Sequence, residues 1–392
     1  MNNIIIYKTR IYKSLFFFGN EKWDGPGKSK RGTVLEERKG GRSLKAQKGD
    51  GPGRTKKGTV LGKAKIERNL EIRRGGSDIV QILRNIMKIY VDGHCDTLSE
   101  TLDNNKKISN TQYCFNTIDA KQLVPVIQMS AVFINPKFEN GFERANNIID
   151  YYFKNMENTV IIKNKKDIQY VIEQKKIGII LTIENGKAIE SDLNNIDKLY
   201  EKGIRLMSIN WNEDNLLGTG ADTKSSLGLT KLGKEYVKRL EQKNIIIDIS
   251  HSSEQTFWDT VKNTTRTLVA THSNCYSICN HPRNLTDEQI KAIAKRNGII
   301  GICLCSPFLK KEGTANVTDI IRHIKHITNL VGIDYIGLGT DFDGVDEEHR
   351  LSDIKGIKDM PILINELRKS GYLEDQIDKI MGENWMRVLS KL

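Results

Sequence analysis

An α/β barrel of eight parallel strands, each leading into a helix, is the fold predicted for residues 85–392. Three features of the sequence predict it. Eight short apolar, β-branched runs lie within about 300 residues. Helix-like stretches separate several of them. Several runs end in His, Asp or Glu, and a barrel builds its active site at the C-terminal ends of its strands.

The runs fall at 89–93, 127–134, 178–183, 204–210, 244–250, 267–271, 298–305 and 335–340. Most are bounded by Gly, Asn or charged residues, as buried parallel strands are. Helix-like stretches occupy 141–155, 232–242, 286–296 and 317–331. In the last, Val317, Ile320, Ile321, Ile324, Ile327 and Leu330 recur at three-to-four spacing, which is one face of a helix. A doubly wound open sheet is the alternative. No Gly-x-Gly-x-x-Gly follows the first run, which argues against its dinucleotide-binding form.

Residues 1–84 are of another kind. The chain has 392 residues and a formal net charge of +12. Residues 1–88 hold 22 Lys+Arg against 8 Asp+Glu, so the rest of the chain is close to neutral. Asp24-Gly-Pro-Gly returns as Asp50-Gly-Pro-Gly, a repeat with a period of 26 residues. Two copies without an apolar face make no solenoid. The segment reads as a disordered extension, too poor in apolar residues to offset its ordering entropy. Its charge also suits an electrostatic arm for nucleic acid. The dispensable extension is the preferred reading, and nucleic acid is not expected as a partner.

No apolar run approaches the roughly 18–20 residues of a membrane span. Lys8, Arg10 and Lys13 interrupt the apolar start, so no secretory h-region is legible. A cytoplasmic location with reduced thiols is expected. Cys303 and Cys305 read as packing.

The strand ends carry the chemistry. The first run ends Asp92-Gly-His94-Cys-Asp96, and His94 and Asp96 share one face of extended backbone. Glu184 ends the third, His251 the fifth and His272 the sixth, and Asp341-Phe-Asp343 ends the eighth. Alone, each is an ordinary loop histidine or a capping carboxylate. Together, imidazole and carboxylate form the ligand set of catalytic zinc or a related divalent metal. Five ligands exceed the needs of one open tetrahedral site. Two metals sharing a carboxylate would use them all.

Six motifs then resemble, in order, the membrane dipeptidase (renal dipeptidase) family of zinc peptidases. They are Asp92-Gly-His-Cys-Asp-Thr97, Ile183-Glu-Asn-Gly186, Asp248-Ile-Ser-His251, Thr271-His-Ser273, His281-Pro-Arg-Asn284 and Gly339-Thr-Asp-Phe-Asp-Gly344. The resemblance covers roughly residues 85–392 and includes Met381-Gly-Glu-Asn-Trp-Met-Arg387, similar to the family's closing helix. It implies a dipeptide substrate, two Zn2+ per chain and a homodimer. It also implies roles: His94 and Asp96 on one zinc, Glu184 bridging, and His251 and His272 on the other. Arg283 would pair with the substrate's C-terminal carboxylate, and Asp341 would be the general acid/base. Asp343 is given structural support as its role.

One departure concerns the fourth strand. Trp211 stands where the family often has a His that holds the scissile carbonyl, and Asn210 and Asn212 are the nearby candidate donors. Asn185 follows the bridging Glu where Gly is common. Two other readings compete with this one. A lactamase- or deaminase-like barrel amidohydrolase usually opens with His-x-His, and this chain has His-x-Asp. A nucleic-acid binder with a decayed barrel would not keep all five ligands.

Overall fold

The computed structural model describes residues 88–225 and 227–392. The basic extension, its repeat and the boundary at residue 84 lie outside the described residues.

Nine strands form one parallel sheet. They are β1 (Tyr90–Cys95), β2 (Val126–Phe133), β3 (Thr159–Ile161), β4 (Ile177–Glu184) and β5 (Ile204–Ser208), followed by β6 (Ile246–Asp248), β7 (Leu268–Val269), β8 (Ile300–Ile302) and β9 (Ile336–Leu338). Eight run in the order β7-β6-β5-β4-β2-β1-β9-β8. A parallel bridge from Ala270 to Ile300 joins the two ends of that path, so the sheet curls into a nearly closed barrel.

All eight predicted runs are barrel strands. The strand not foreseen, β3, pairs with residues 177–179 of β4, below the level where β5 begins its pairing at Leu181. Its three half-buried residues are too few to leave a periodic signal. The predicted helices are also present. Gly141–Asn155 and Val317–Val331 keep their predicted bounds, Lys231–Gln242 starts one residue early, and Asp287–Lys295 is one residue shorter at each end. Caps explain the sharp starts. Asn316 and Asp319 form a capping box at one helix, and Thr286 and Gln289 form one at another.

The period of two places the site. Along β4, Ile177, Ile179, Leu181 and Ile183 pack outward with the helices, while Ile180 packs with the barrel interior. Glu184 has the parity of Ile180 and therefore faces the barrel axis at the mouth. Val91, Ile127, Met129, Leu206 and Val269 fill the interior with Trp385. Trp385 belongs to the closing helix Asn384–Leu389, and its Nε1–H donates to Leu338 O at 2.8 Å. Gly93 and Gly337 admit that ring, since a Cβ at either would lie within 2.4 Å of it.

Candidate metal centre

Every predicted ligand arrives at the C-terminal rim. His94 lies in β1 and Glu184 ends β4. His251, His272 and Asp341 each follow the end of their strand, β6, β7 and β9, by three residues. The rim demands unusual backbone. Asn185, His251, Asp341 and Asp343 all have left-handed φ, between 62° and 76°. Non-Gly residues pay about 1–2 kcal/mol there, a strain that collects at functional sites.

Glu184 is the hub. Its Oε2 lies 3.4 Å from His94 Nε2, and its Oε1 lies 2.9 Å from His251 Nε2 and 3.8 Å from His272 Nε2. His94 Nε2 is also 3.4 Å from Asp96 Oδ2 and 3.8 Å from Asp341 Oδ1. Two sets of candidate ligand atoms therefore share His94, one with Glu184 and His272 and one with Asp96 and Asp341.

The hydrogen bonds fix the imidazole tautomers. Thr271 Oγ1–H donates to Asp248 Oδ2 at 2.6 Å, so this hydroxyl can only accept from His272 Nδ1, 2.8 Å away. Asn212 Oδ1 is 2.6 Å from His251 Nδ1 and accepts its proton. Both Nδ1 protons are thus committed, and both Nε2 atoms present lone pairs. These lone pairs face each other at 2.7 Å. Two acceptors at that distance repel unless a cation lies against them. Buried His94 Nε2 and Asp96 Oδ1 likewise lack hydrogen-bond partners. Divalent metal satisfies every one of these atoms, so the residues fit the group.

The titration behaviour divides the site. Burial opposes a charge on His94, but Glu184 and Asp96 outweigh it and raise its pKa well above the usual value. Burial, then Arg283 and His94, holds His251 well below it. Burial, then His94, His251 and Arg283, does the same to His272. Burial and Glu184 push Asp96 up to about 6. Burial lifts Asp341 to about 7, with His94 opposing and Asp96 and Glu184 assisting.

The other predicted residues surround this core. Arg283 is buried, its Nη2 donates to His272 O at 3.3 Å, and its Nε has no partner. Beside Arg283 and His251 opens a cavity of about 570 Å³, walled by Trp258, Tyr276 and Gln289 among others. Trp211 stacks 6.0 Å from His251 and lies 5.5 Å from Phe133. Asn210 donates to Gly218 O and so faces the following loop. Asn185 donates to Ile134 O and accepts from Asn215, tying the end of β4 to that loop.

Some participants escaped the sequence reading. Cys303, read as packing, is buried, but its Sγ–H also points at Asp341 Oδ2, 3.6 Å away. Phe133 and the Thr271–Asp248 pair were not singled out as site residues. Asp248 and Thr271 lie within the quoted motifs, but their pairing spans 23 residues and leaves no local signal.

Comparison with known proteins shows the family and the fold. The family model for membrane dipeptidase, peptidase family M19, matches residues 79–392. The chain belongs to that family. Membership supports a metal-dependent dipeptidase. An uncharacterized protein from the pqqA 5′ region of Klebsiella pneumoniae is 36% identical over 236 residues, which is 58% of this chain and 86% of that protein. A metallopeptidase from Rhodobacter sphaeroides, solved with a phosphinate mimic of the dipeptide L-Ala-D-Ala, superposes with a TM-score of 0.72. It is 21% identical, and the match covers 78% of this chain and 99% of that one. The probable dipeptidase PvdM from Pseudomonas aeruginosa is 18% identical at a TM-score of 0.71, with 82% and 99% covered. These two likenesses concern the fold. Among the described residues no helix is long and apolar enough to cross a membrane.

Proposed function

We propose that this chain is a binuclear zinc dipeptidase. The observation that carries the reading is the convergence of His94, Asp96, Glu184, His251 and His272, with two imidazole lone pairs opposed at 2.7 Å and the partnerless Nε2 of His94 beside them. His94 and Asp96 would hold one zinc, His251 and His272 the other, and Glu184 both. Zinc bound there supplies Lewis acidity and a nucleophile from water at neutral pH.

The chain's own groups do the rest. Arg283 receives the substrate's C-terminal carboxylate, because a guanidinium with a free Nε matches it bidentately. A longer peptide would bring an amide to that place, so dipeptides are preferred. Asp341 takes the proton of the attacking water and gives it to the leaving amine. Trp211 and Phe133 wall the site next to His251, and Asn212 holds the His251 tautomer. The six cysteines, all free and buried, fit a reducing compartment such as the cytoplasm.

The test joins metal analysis to hydrolysis. About two zinc per chain are expected, with chelator-sensitive cleavage of dipeptides and none of a tripeptide. The panel includes L,D as well as L,L dipeptides, because the Rhodobacter relative binds an L-Ala-D-Ala mimic. Asp341→Asn should keep its zinc and lose roughly a hundredfold to ten-thousandfold in kcat. Retained turnover removes Asp341 from the proton-carrying role. Zinc without dipeptide cleavage redirects the site to another small amide bearing a carboxylate.

A further inference from the structure

Asp343 touches neither the imidazoles nor Glu184, yet its carboxylate is fully engaged. Thr97 Oγ1–H donates to its Oδ2 at 2.6 Å, Cys114 N–H donates to Oδ1 at 2.7 Å, and Phe115 N–H donates to Oδ2 at 3.3 Å. Three donors from two separate segments therefore converge on one side chain. Thr97 opens the helix Thr97–Asp103 directly after the ligand Asp96, and Cys114 and Phe115 precede the short helix Thr117–Ala120.

The backbone beside Asp343 turns sharply. Asp341 and Asp343 are both left-handed, with φ of 62° and 66°. Asp341 N–H donates to His94 O at 3.1 Å, Asp96 N–H donates to Phe342 O at 2.8 Å, and Gly344 N–H donates to Asp341 O at 3.2 Å. Gly344 closes the turn against the site. A Cβ there would lie 2.2 Å from Asp96 Oδ2 and 2.6 Å from Asp341 Oδ1. Left-handed backbone at two non-Gly residues persists only where the surroundings over-determine it. The bonds to the Asp343 carboxylate tie this turn by side chain to the segments at Thr97 and at Cys114–Phe115.

We propose that Asp343 is a positioning residue for peptide hydrolysis. Its latch to Thr97, Cys114 and Phe115 fixes the turn at 341–343 and thereby aims the Asp341 carboxylate at the reacting atoms. The inference rests on Asp341 as the proton carrier. An amide is a poor replacement for the carboxylate, because its NH2 would face the Cys114 N–H in one orientation and the Phe115 N–H in the other.

The test uses the zinc-loaded, full-length chain and a dipeptide substrate. Asp343→Asn should lower kcat by about tenfold to a hundredfold, the scale of a 1 Å misplacement, with KM within about twofold and zinc content unchanged. Thr97→Val removes one donor and leaves Asp343 in place. It should move kcat in the same direction by a smaller factor, and it decides the matter if Asp343→Asn does not fold. The double variant Asp341→Asn/Asp343→Asn should turn over as slowly as Asp341→Asn alone, since a residue acting only through Asp341 has nothing left to position. Unchanged kcat in the folded single variants overturns the proposal. So does a double variant in which the two losses multiply, or a fall confined to zinc content and KM. Full turnover by Asp341→Asn instead overturns the base assignment, and that result is read separately.

Discussion

Two strand pairs underlie the two halves of the site, and they are built alike but charged in opposite senses. Under the first half, Asp92 accepts from Thr340 N–H at 2.8 Å, Thr340 Oγ1–H at 2.6 Å and His94 N–H at 3.3 Å, which knits β1 to the end of β9. Under the second, Asp248 accepts from Thr271 N–H at 3.0 Å, Thr271 Oγ1–H at 2.6 Å and Ser250 N–H at 3.0 Å, which knits β6 to the end of β7. Above the first pair stand Asp96 and Asp341, and Glu184 together with Asp96 draws His94 toward protonation against its burial. Above the second stand two imidazoles near Arg283, both driven toward the neutral form. One support thus serves an anionic half that needs a cation and a lone-pair half that can ligate one. Glu184 puts one carboxylate oxygen on each half.

The harshest way to break the comparison is therefore Glu184→Gln. It removes the shared charge, so zinc should leave both halves and activity should fall by about a thousandfold or more. Loss of one zinc only would mean that Glu184 serves one half. Gly344→Ala should act on the anionic half alone, since its Cβ would crowd Asp96 and Asp341. Metal analysis should then show one zinc lost and one retained.

A matched pair of substitutions sharpens the contrast. Thr271 touches the His272 ring at 2.8 Å, whereas Thr340 reaches only the backbone oxygen of His94, at 3.4 Å. Thr271→Val should weaken zinc binding by about tenfold to a hundredfold, as losing the partner of a ligand histidine does. Thr340→Val should leave zinc affinity nearly intact. It costs roughly 1–3 kcal/mol of stability, because the buried Asp92 carboxylate loses a donor. Equal effects on zinc would show that the two supports do the same work.

The halves also differ in how far they could be read from the sequence. Glu184 was legible because strand alternation puts it on the inner face of β4, so periodicity and residue type agree. His94 and Asp96 were legible as a pair sharing one face, but they have the parity of outward Tyr90, and only the irregular register between Asp92 and Cys95 lets them join the site. His251 and His272 lie past their strands, and only their repeated place after apolar runs betrayed them. The rest depends on folding. That Thr271 sets the His272 tautomer depends on Asp248, which lies 23 residues earlier in the chain. Asp343 likewise finds donors 246 and 229 residues away. No local pattern encodes such pairs. β3 was missed for the opposite reason, being too short and too exposed to carry a period.

The smallest effect lies away from both halves and separates fold from metal. His323 is buried in the helix Val317–Val331. Its Nδ1 accepts from Cys275 N–H at 3.0 Å, so its Nε2–H donates to Leu309 O, also at 3.0 Å. The neutral ring satisfies both bonds, and burial lowers its pKa to about 4. The unfolded chain has the ordinary value near 6.5 and so binds the proton more readily. Stability is then complete above about pH 6.5 and falls as the pH drops toward 4, by up to roughly 3 kcal/mol. His323→Gln keeps one donor and one acceptor but cannot titrate. Its unfolding midpoint, measured with chelator present, should vary less than wild type between pH 4 and 6.5, and its zinc content at pH 7.5 should be unchanged. An identical pH profile would place the acid sensitivity in the imidazoles of the site and not in this helix.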